Sequence, residues 1–357
     1  MDLIDLSEGK VINKRWVIDE KLGEGSCATV YKVHDINDTR VKAALKVEAR
    51  SDDNYGVLKK EVAVMRKLQC RRHTVRVVYA ARREYYSYVV MSLLGPNLVQ
   101  LKKKCEVNTF TAGTTNRIGV HALYAIKQLH EIGYVHRDIK PANMVIGRYG
   151  HEARIIYVID YGMAREYAFW EEGYARIRRK RKHVLMRGTT RYCSPAVHAR
   201  MEQGRKDDLW SMIYVLVELH AGLPWRGITV QSQEKEVGIM KDKITDEVLM
   251  ADCPPEWIHI MKYIRTLTYE SRPDYKKIYD LLMSCMKRLS VSFSDPYDWE
   301  INLPSKSSQT TPTITRTTTE TVNTKESPNP KCNNNRQLYD FPPTTDPKEF
   351  ECNDIGI

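Results

Sequence analysis

Apolar and polar positions keep one period through the first part of the chain and another through the second. From Trp16 to about Leu94 the pattern is mostly that of strands. "WVIDEKLG" (16–23), "TVYKVHD" (29–35) and "VKAALKVEA" (41–49) alternate apolar with polar residues and are broken by Gly or Asn-Asp turn signals. "VRVVYAA" (75–81) and "SYVVMSLL" (87–94) read as two further strands. One helix interrupts them, "VLKKEVAVMRKL" (57–68), with Val57, Val64, Met65 and Leu68 on one flank. Beyond Leu94 helical spacing takes over. In "TTNRIGVHALYAIKQLHEIG" (114–133), Ile118, Ala122, Ala125, Ile126 and Leu129 recur on one face, with Gly133 as a stop. "DLWSMIYVLVELHAG" (208–222) is apolar on nearly every side, which predicts a helix buried in the middle of its half.

The expected fold class is therefore α+β and two-lobed, a small β-rich lobe over residues 16–94 and a larger helical lobe over 95–300. Residues 1–15 form a short extension. Composition changes near residue 304, where "SKSSQTTPTITRTTTETVNTKESPNPKCNNN" (305–335) is rich in Thr, Ser, Asn and Pro. Such a stretch buries too little apolar surface to offset its ordering entropy, so 301–357 is expected to be a disordered Ser/Thr-rich tail. Aromatics near its end leave docking open, with a flexible end favoured.

With 357 residues and 42% hydrophobic content the chain can bury a large core. A net charge of +11 suits acidic partners, although solubility explains it equally well. The eight cysteines are scattered without a C-x-x-C pair, which argues against a disulfide framework or a zinc site. No segment reaches the roughly 20 apolar residues a membrane span requires, and the N-terminus lacks a signal-peptide core. The expectation is a cytoplasmic protein, with the nucleus open as a second compartment and no membrane partner.

Four stretches carry chemistry. "LGEGSCATVYK" (22–32) places Gly23 and Gly25 in a turn between strands, where bare backbone can approach phosphates; Ala28 stands where a third glycine would complete G-x-G-x-x-G. Were that position left-handed, alanine would cost roughly 1–2 kcal/mol. In "AALKVE" (43–48), Lys46 lies on the strand after the turn, and Glu61 on the nearby helix is its expected partner. "YVHRDIKPANMV" (134–145) meets H-R-D-x-x-x-x-N with His136, Arg137, Asp138 and Asn143. Asp138 could accept a hydroxyl proton, Asn143 could hold a metal ion, and Lys140 could neutralise a phosphoryl group in flight. "YVIDYGMARE" (157–166) supplies Asp160 as the other metal ligand, a hard oxygen donor of the kind magnesium prefers, in a D-Y-G version of D-F-G. Tyr161 adds a hydroxyl that needs a partner.

In this order and context the parts resemble the eukaryotic protein kinase superfamily over about residues 16–300. "HRDIKPAN" looks like the serine/threonine version. "RGTTRYCSPAVH" (187–198) lacks the usual A-P-E glutamate and resembles the casein kinase 1 group, although Pro195 departs from that group's usual S-I-N. "GRKDDLWSMIYVLVEL", "LPWRGI", "RPDY" and "SDPYDWE" are similar to the tau-tubulin kinase branch. The resemblance implies ATP with Mg2+, Mn2+ being an alternative, and protein substrates bearing serine or threonine. It implies Met91 at the back of the nucleotide pocket, Ser92, Leu93 and Leu94 as hinge, Asp208 holding the H-R-D backbone, and Met65, His136 and Tyr161 stacked in an internal spine. It further implies an anion pocket, with Arg191 as a member and Arg226 and Lys235 as looser candidates, that favours acidic or phosphorylated substrates.

The basic run Arg176, Arg178, Arg179, Lys180, Arg181, Lys182 and His183 is either a solvated loop or part of that docking surface. No serine or threonine lies amid it, so activity without prior phosphorylation is expected. A monomer is expected as well. A binding-only scaffold with the same fold is the rival reading, supported by Ala28, Tyr161 and the absent glutamate. Nucleic-acid binding is a third, for which the chain shows no aromatic interleaving or recognisable motif.

Overall fold

Strands β1 (Val11–Ile12), β2 (Trp16–Glu24), β3 (Ala28–Asp35), β4 (Asp38–Ala49), β5 (Val77–Arg82) and β6 (Tyr86–Ser92) form one antiparallel sheet in the order β1-β2-β3-β4-β6-β5. The structure is a computed structural model and describes residues 3–25, 27–50, 56–228, 234–301 and 346–357. Alternation in β3 buries Tyr31 and Val33 against Trp16, Ile18, Leu45, Val47 and Val90. Helix α1 (Val57–Leu68) covers the other side of the sheet. Its buried residues are Leu58, Glu61, Val62, Val64, Met65 and Leu68. Val57, expected on the buried flank, is 37% exposed at the first turn, and Leu58 takes its place.

The start of α1 has no side-chain cap of its own at Gly56. Glu48, buried at the end of β4, reaches across and accepts from the Val57 and Leu58 amides, 3.0 Å each. Two orphan N–H groups are thereby satisfied from the sheet, and the carboxylate sits at the positive end of the helix dipole. The helix is pinned to the strand two residues beyond Lys46.

The second lobe is helical: α2 (Leu98–Lys102), α3 (Ala112–His130), α4 (Pro195–His198), α5 (Arg205–His220), α6 (Glu234–Lys243), α7 (Asp246–Leu249), α8 (Pro255–Arg265), α9 (Tyr275–Arg288) and α10 (Asp298–Ile301). The all-round apolar stretch is α5, buried as expected among α3, α8 and α9. Two short strand pairs belong to this lobe, β7 (Tyr134–Val135) with β10 (Arg165–Glu166) and β8 (Met144–Ile146) with β9 (Ile156–Val158). A hairpin of β11 (Ala168–Glu171) and β12 (Tyr174–Ile177) turns at Glu172-Gly173. Its second strand takes up the start of the basic run, which alternation alone did not reveal. None of the helices among the described residues is long and apolar enough to cross a membrane. Cys70 is disulfide-bonded, which its spacing from the other cysteines did not foreshadow.

The end of the chain departs from the expected disordered tail. Residues 302–345 lie outside the described residues, but 346–357 dock on the back of the helical lobe. Helix α11 (Lys348–Glu351) stacks Phe350 on Tyr279, with ring centroids 4.4 Å apart, and sets it edge-on to Tyr124. Ile355 packs with Val135, Tyr167 and Ala168. Burying each such side chain stabilises by about 1.5–3 kcal/mol, which offsets part of the entropy lost on ordering the segment; its hydrogen bonds to the domain add to this.

Lys241 on α6 is buried without a carboxylate partner among the described residues. Its ammonium donates to the carbonyls of Thr190 and Cys193, 2.7 Å each, and lies over the rings of Tyr214 and Trp225. His198 is its other polar neighbour, Nε2 at 3.3 Å. Burial pulls the Lys241 pKa down to about 7.

Two predictions follow from these contacts. Glu48→Ala should lower stability by about 1 kcal/mol, the usual value of a lost helix cap, read from the denaturant midpoint at unchanged slope. For Lys241 the unfolded chain keeps its proton up to about pH 10.4, whereas the folded chain loses it near pH 7. Between those values the unfolded state binds more protons, so this lysine makes stability rise with pH by up to about 1.4 kcal/mol per unit. In Lys241→Met that component of the slope should vanish from denaturation curves taken between pH 7 and 10.

Candidate active site

The site begins with two residues on opposite elements of the first lobe. Lys46, paired with Val89 in the sheet register, points at α1 and binds Glu61 at 2.7 Å and Asp160 at 3.0 Å. Burial works against the Lys46 cation, but the two carboxylates more than offset it and hold its pKa above the ordinary lysine value. Burial likewise pushes the Asp160 carboxyl up, and the Lys46 charge outweighs that, keeping it ionised below the usual carboxylate range. The sequence-predicted pair is thus made, and a third group joins it from the second lobe.

The loop that follows β7 is built around Asp208 on α5. Its carboxylate accepts from the His136 amide at 2.7 Å and the Arg137 amide at 2.8 Å, and lies 2.9 Å from His130 Nε2. Those bonds hold Arg137 in left-handed backbone, φ 70°. Asp160, also in this site, is left-handed as well, φ 67°. Such conformations cost of order 1–3 kcal/mol each and persist where surroundings over-determine them.

Asp138 is nearly buried, and its carboxylate is fixed by three donors. Thr189 Oγ1 donates to Oδ1 at 2.7 Å, Lys140 Nζ to Oδ2 at 2.7 Å, and Asn143 Nδ2 to Oδ2 at 3.3 Å. Asn143 Nδ2 also donates to the Asp138 carbonyl at 3.0 Å. The substrate-side turn reaches this carboxylate because Gly188 has φ 105°; an added Cβ would lie 2.3 Å from the Arg137 carbonyl oxygen.

Asp160 and the free oxygen of Asn143 are hard donors of the type a divalent cation takes. No group of three or more His, Cys, Asp or Glu able to hold a metal occurs among the described residues. Two such oxygen donors would supply part of the coordination shell of a divalent cation. Lys46 beside Asp160 fits a phosphate-bearing ligand.

Gly23 ends in open space, with no atom within 4 Å of an added Cβ, and the Gly25 amide closes the turn on the Ala28 carbonyl at 2.8 Å. Ala28 begins β3 and is not among the residues with left-handed backbone. The alanine penalty weighed from sequence does not arise. Met91 lies beside Ala44 in the sheet register and packs with Leu94 against the α1 cluster that holds Met65. His136 and Tyr161 have ring centroids 5.5 Å apart. The Tyr161 hydroxyl donates to the Val158 carbonyl at 2.8 Å, the partner its burial requires.

The candidate anion pocket is assembled in part. Arg191 Nη2 donates to the Arg226 carbonyl at 2.7 Å, while its Nη1 lies 3.6 Å from Glu218. Lys102, which the sequence did not single out, donates to the Glu218 carbonyl at 3.2 Å. Lys235 is exposed on α6 and makes no ion pair or hydrogen bond with Arg191 or Arg226 among the described residues. The basic run is largely tied down: Arg176 to Glu171, Arg178 to Glu166, Lys180 to Glu270 and Arg181 to Glu202. Glu202 binds Arg165 as well, at 3.3 Å. Arg179, Lys182 and His183 are exposed and carry no ion pair among the described residues.

Residues 16–288 match the protein kinase domain family. K06H7.1 of Caenorhabditis elegans, which carries the name of a serine/threonine-protein kinase, is 43% identical over 296 residues, covering 83% of this chain and 84% of its own length. A Dictyostelium discoideum protein with a name of the same kind is 37% identical over 309 residues, 86% of this chain and 61% of that protein. The inactive tau-tubulin kinase ttbk-6 of Caenorhabditis elegans is 35% identical over 230 residues, 62% of this chain and 78% of its own. Casein kinase I proteins are also among the relatives. The chain belongs to the protein kinase family, as a serine/threonine-protein kinase with tau-tubulin kinase-like and casein kinase I relatives.

Proposed function

We propose that this kinase, which by its family uses ATP and a divalent metal, works with Mg2+ and phosphorylates serine or threonine near acidic or already phosphorylated residues. In this reading Asp138 accepts the substrate hydroxyl proton, and Lys140 neutralises charge at the phosphoryl group. Lys46, oriented by Glu61, holds the nucleotide phosphates. Asn143 and Asp160 would hold the cation, which when bound neutralises charge developing on the phosphates. Met91 and Leu94 would line the adenine side of the cleft, with Gly23 and Gly25 over the phosphates.

The observation that carries the reading is the fixed carboxylate of Asp138, bound by Thr189, Lys140 and Asn143 at once. A base whose lone pairs are oriented before substrate arrives loses little in reorganisation. The substrate preference is supported by Arg191, on the turn that carries Thr189, whose side chain donates to the backbone carbonyl of Arg226 and so brings the two arginines side by side. Glu218 neutralises part of that charge, so a phosphate would compete with it for Arg191. Ion pairs from Glu166 and Glu202 already hold the basic segment, which supports activity without phosphorylation of that segment.

Phosphate transfer from ATP-Mg to casein and to a phospho-primed acidic peptide tests both parts. Asp138→Asn should lower kcat by about 10²–10⁴, the range of a general base. Arg191→Gln combined with Arg226→Gln should raise KM for the acidic peptide by about tenfold, the loss of one charge-assisted contact, and leave KM for ATP alone. Transfer by the wild type that persists in Asp138→Asn would overturn the catalytic assignment. An unchanged peptide preference would overturn the anion pocket.

A further inference from the structure

The docked segment 346–357 makes contacts that packing alone does not require. Arg71, which follows α1, donates to both Gln128 and Asp354, 2.8 Å each. Glu131, just past α3 and ahead of β7, is buried; it pairs with Lys127 at 3.6 Å and Arg272 at 3.2 Å and accepts from the Ile355 amide at 3.0 Å. Arg272 also donates to the Cys352 carbonyl at 2.7 Å. Arg205, the first residue of α5, is buried with no side-chain carboxylate partner among the described residues. It donates to Tyr167 Oη at 3.2 Å and to the carbonyls of Glu270 at 3.0 Å and Ile357 at 3.1 Å.

These three points of attachment lie behind the active site. Arg71 follows the helix that carries Glu61. Glu131 precedes the strand that delivers His136. Arg205 opens the helix that carries Asp208, and its partner Tyr167 donates to the carbonyl of His130, whose ring binds Asp208. The guanidinium groups of Arg205 and Arg272 are incompletely satisfied even with the segment in place, each keeping a buried Nε without a partner among the described residues. Removing the segment takes a further acceptor from each, and a buried cation short of acceptors moves until it finds water. The bonds from Asp354, Ile355, Cys352 and Ile357 go to Arg71, Glu131, Arg272 and Arg205, and not to Lys46, Glu61, Asp138, Asn143 or Asp160. It cannot occlude the cleft from where it sits.

We propose that residues 346–357 are a positioning segment of this kinase, a clamp on the back of the domain that holds α1 and the catalytic loop in register. It takes up Arg272, near the end of the family match, in a chain with Ala196 where most kinases have a glutamate. The clamp rests on the assignment of Asp138 and Asp208 above, so wild-type transfer that depends on Asp138 is established first.

The test uses the full chain with Phe350→Asp and Ile355→Asp together, assayed well below its unfolding temperature. Release should lower kcat about threefold to thirtyfold, the span of coupling through packed networks, with KM for ATP unchanged. Amide exchange at His136 and Arg137 should quicken, and a synthetic peptide of residues 346–357 should restore both in a saturable manner. A role confined to folding would lower the folded fraction and leave kcat per folded molecule as it was, which overturns the proposal. So would a rise in kcat on release, or an Ile355 amide in the wild type that exchanges as fast as in the free peptide. Should the double variant not fold, the milder series Phe350→Leu and Ile355→Ala must show kcat falling as exchange quickens; flat kcat across it counts against the clamp.

Discussion

A carboxylate taken out of water costs several kcal/mol unless its lone pairs are met. Asp208 meets them with two backbone amides of one loop and a buried histidine ring. The arrangement works in both directions. The loop gives the carboxylate its donors, and the carboxylate forces Arg137 into a conformation that an arginine otherwise avoids. The surroundings of Asp138 inherit this constraint: its own position, the close approach of Gly188 to the Arg137 carbonyl, and the reach of Thr189 to the Asp138 carboxylate. The apolar helix α5 is therefore more than a core element, because its first turns carry the anion around which the loop is wound.

The first lobe is tied to this frame through charge. Lys46 spans the lobes by binding Glu61 on α1 and Asp160 beyond β9. Glu48, on the same strand as Lys46, holds the start of α1. One strand thus fixes one helix at two points, its N-terminus and its middle, which leaves Glu61 little freedom to swing away. Tyr161 packs between that helix and His136, so the aromatic core and the charged groups agree on a single register.

Much of this was legible in the chain. The strand pattern marked β2 to β6 but not β1, which residues 1–15, expected as an extension, add to the sheet, and helical spacing marked α1, α3 and α5 closely. Of the motif residues, Lys46 meets Glu61 and Asp160, and Asn143 meets Asp138. What escaped reading depended on distant partners. Glu48 looks like any strand glutamate until α1 folds over it. Lys241 sits in a polar stretch, and only Tyr214, Trp225 and two carbonyls brought from elsewhere make it a buried cation. Phe350 and Ile355 are two anchors in a polar segment, too sparse for a periodicity, and their groove is assembled from α3, α9 and β7. The left-handed penalty weighed for Ala28 failed for the opposite reason, since a motif letter was read as a backbone demand that the strand does not make.

The tyrosine in D-Y-G carries a pharmacological consequence. Its hydroxyl is spent on the Val158 carbonyl inside the core, where a phenylalanine would leave that oxygen to itself. A small molecule that binds by driving the ring out of its pocket must break this bond in addition to exposing the ring. At the usual net value of a hydrogen bond, about 0.5–1.5 kcal/mol, the added cost is roughly twofold to tenfold in affinity. Compounds that leave the ring seated incur no such loss, so this cleft should discriminate between two inhibitor chemistries by a single oxygen atom remote from the nucleotide.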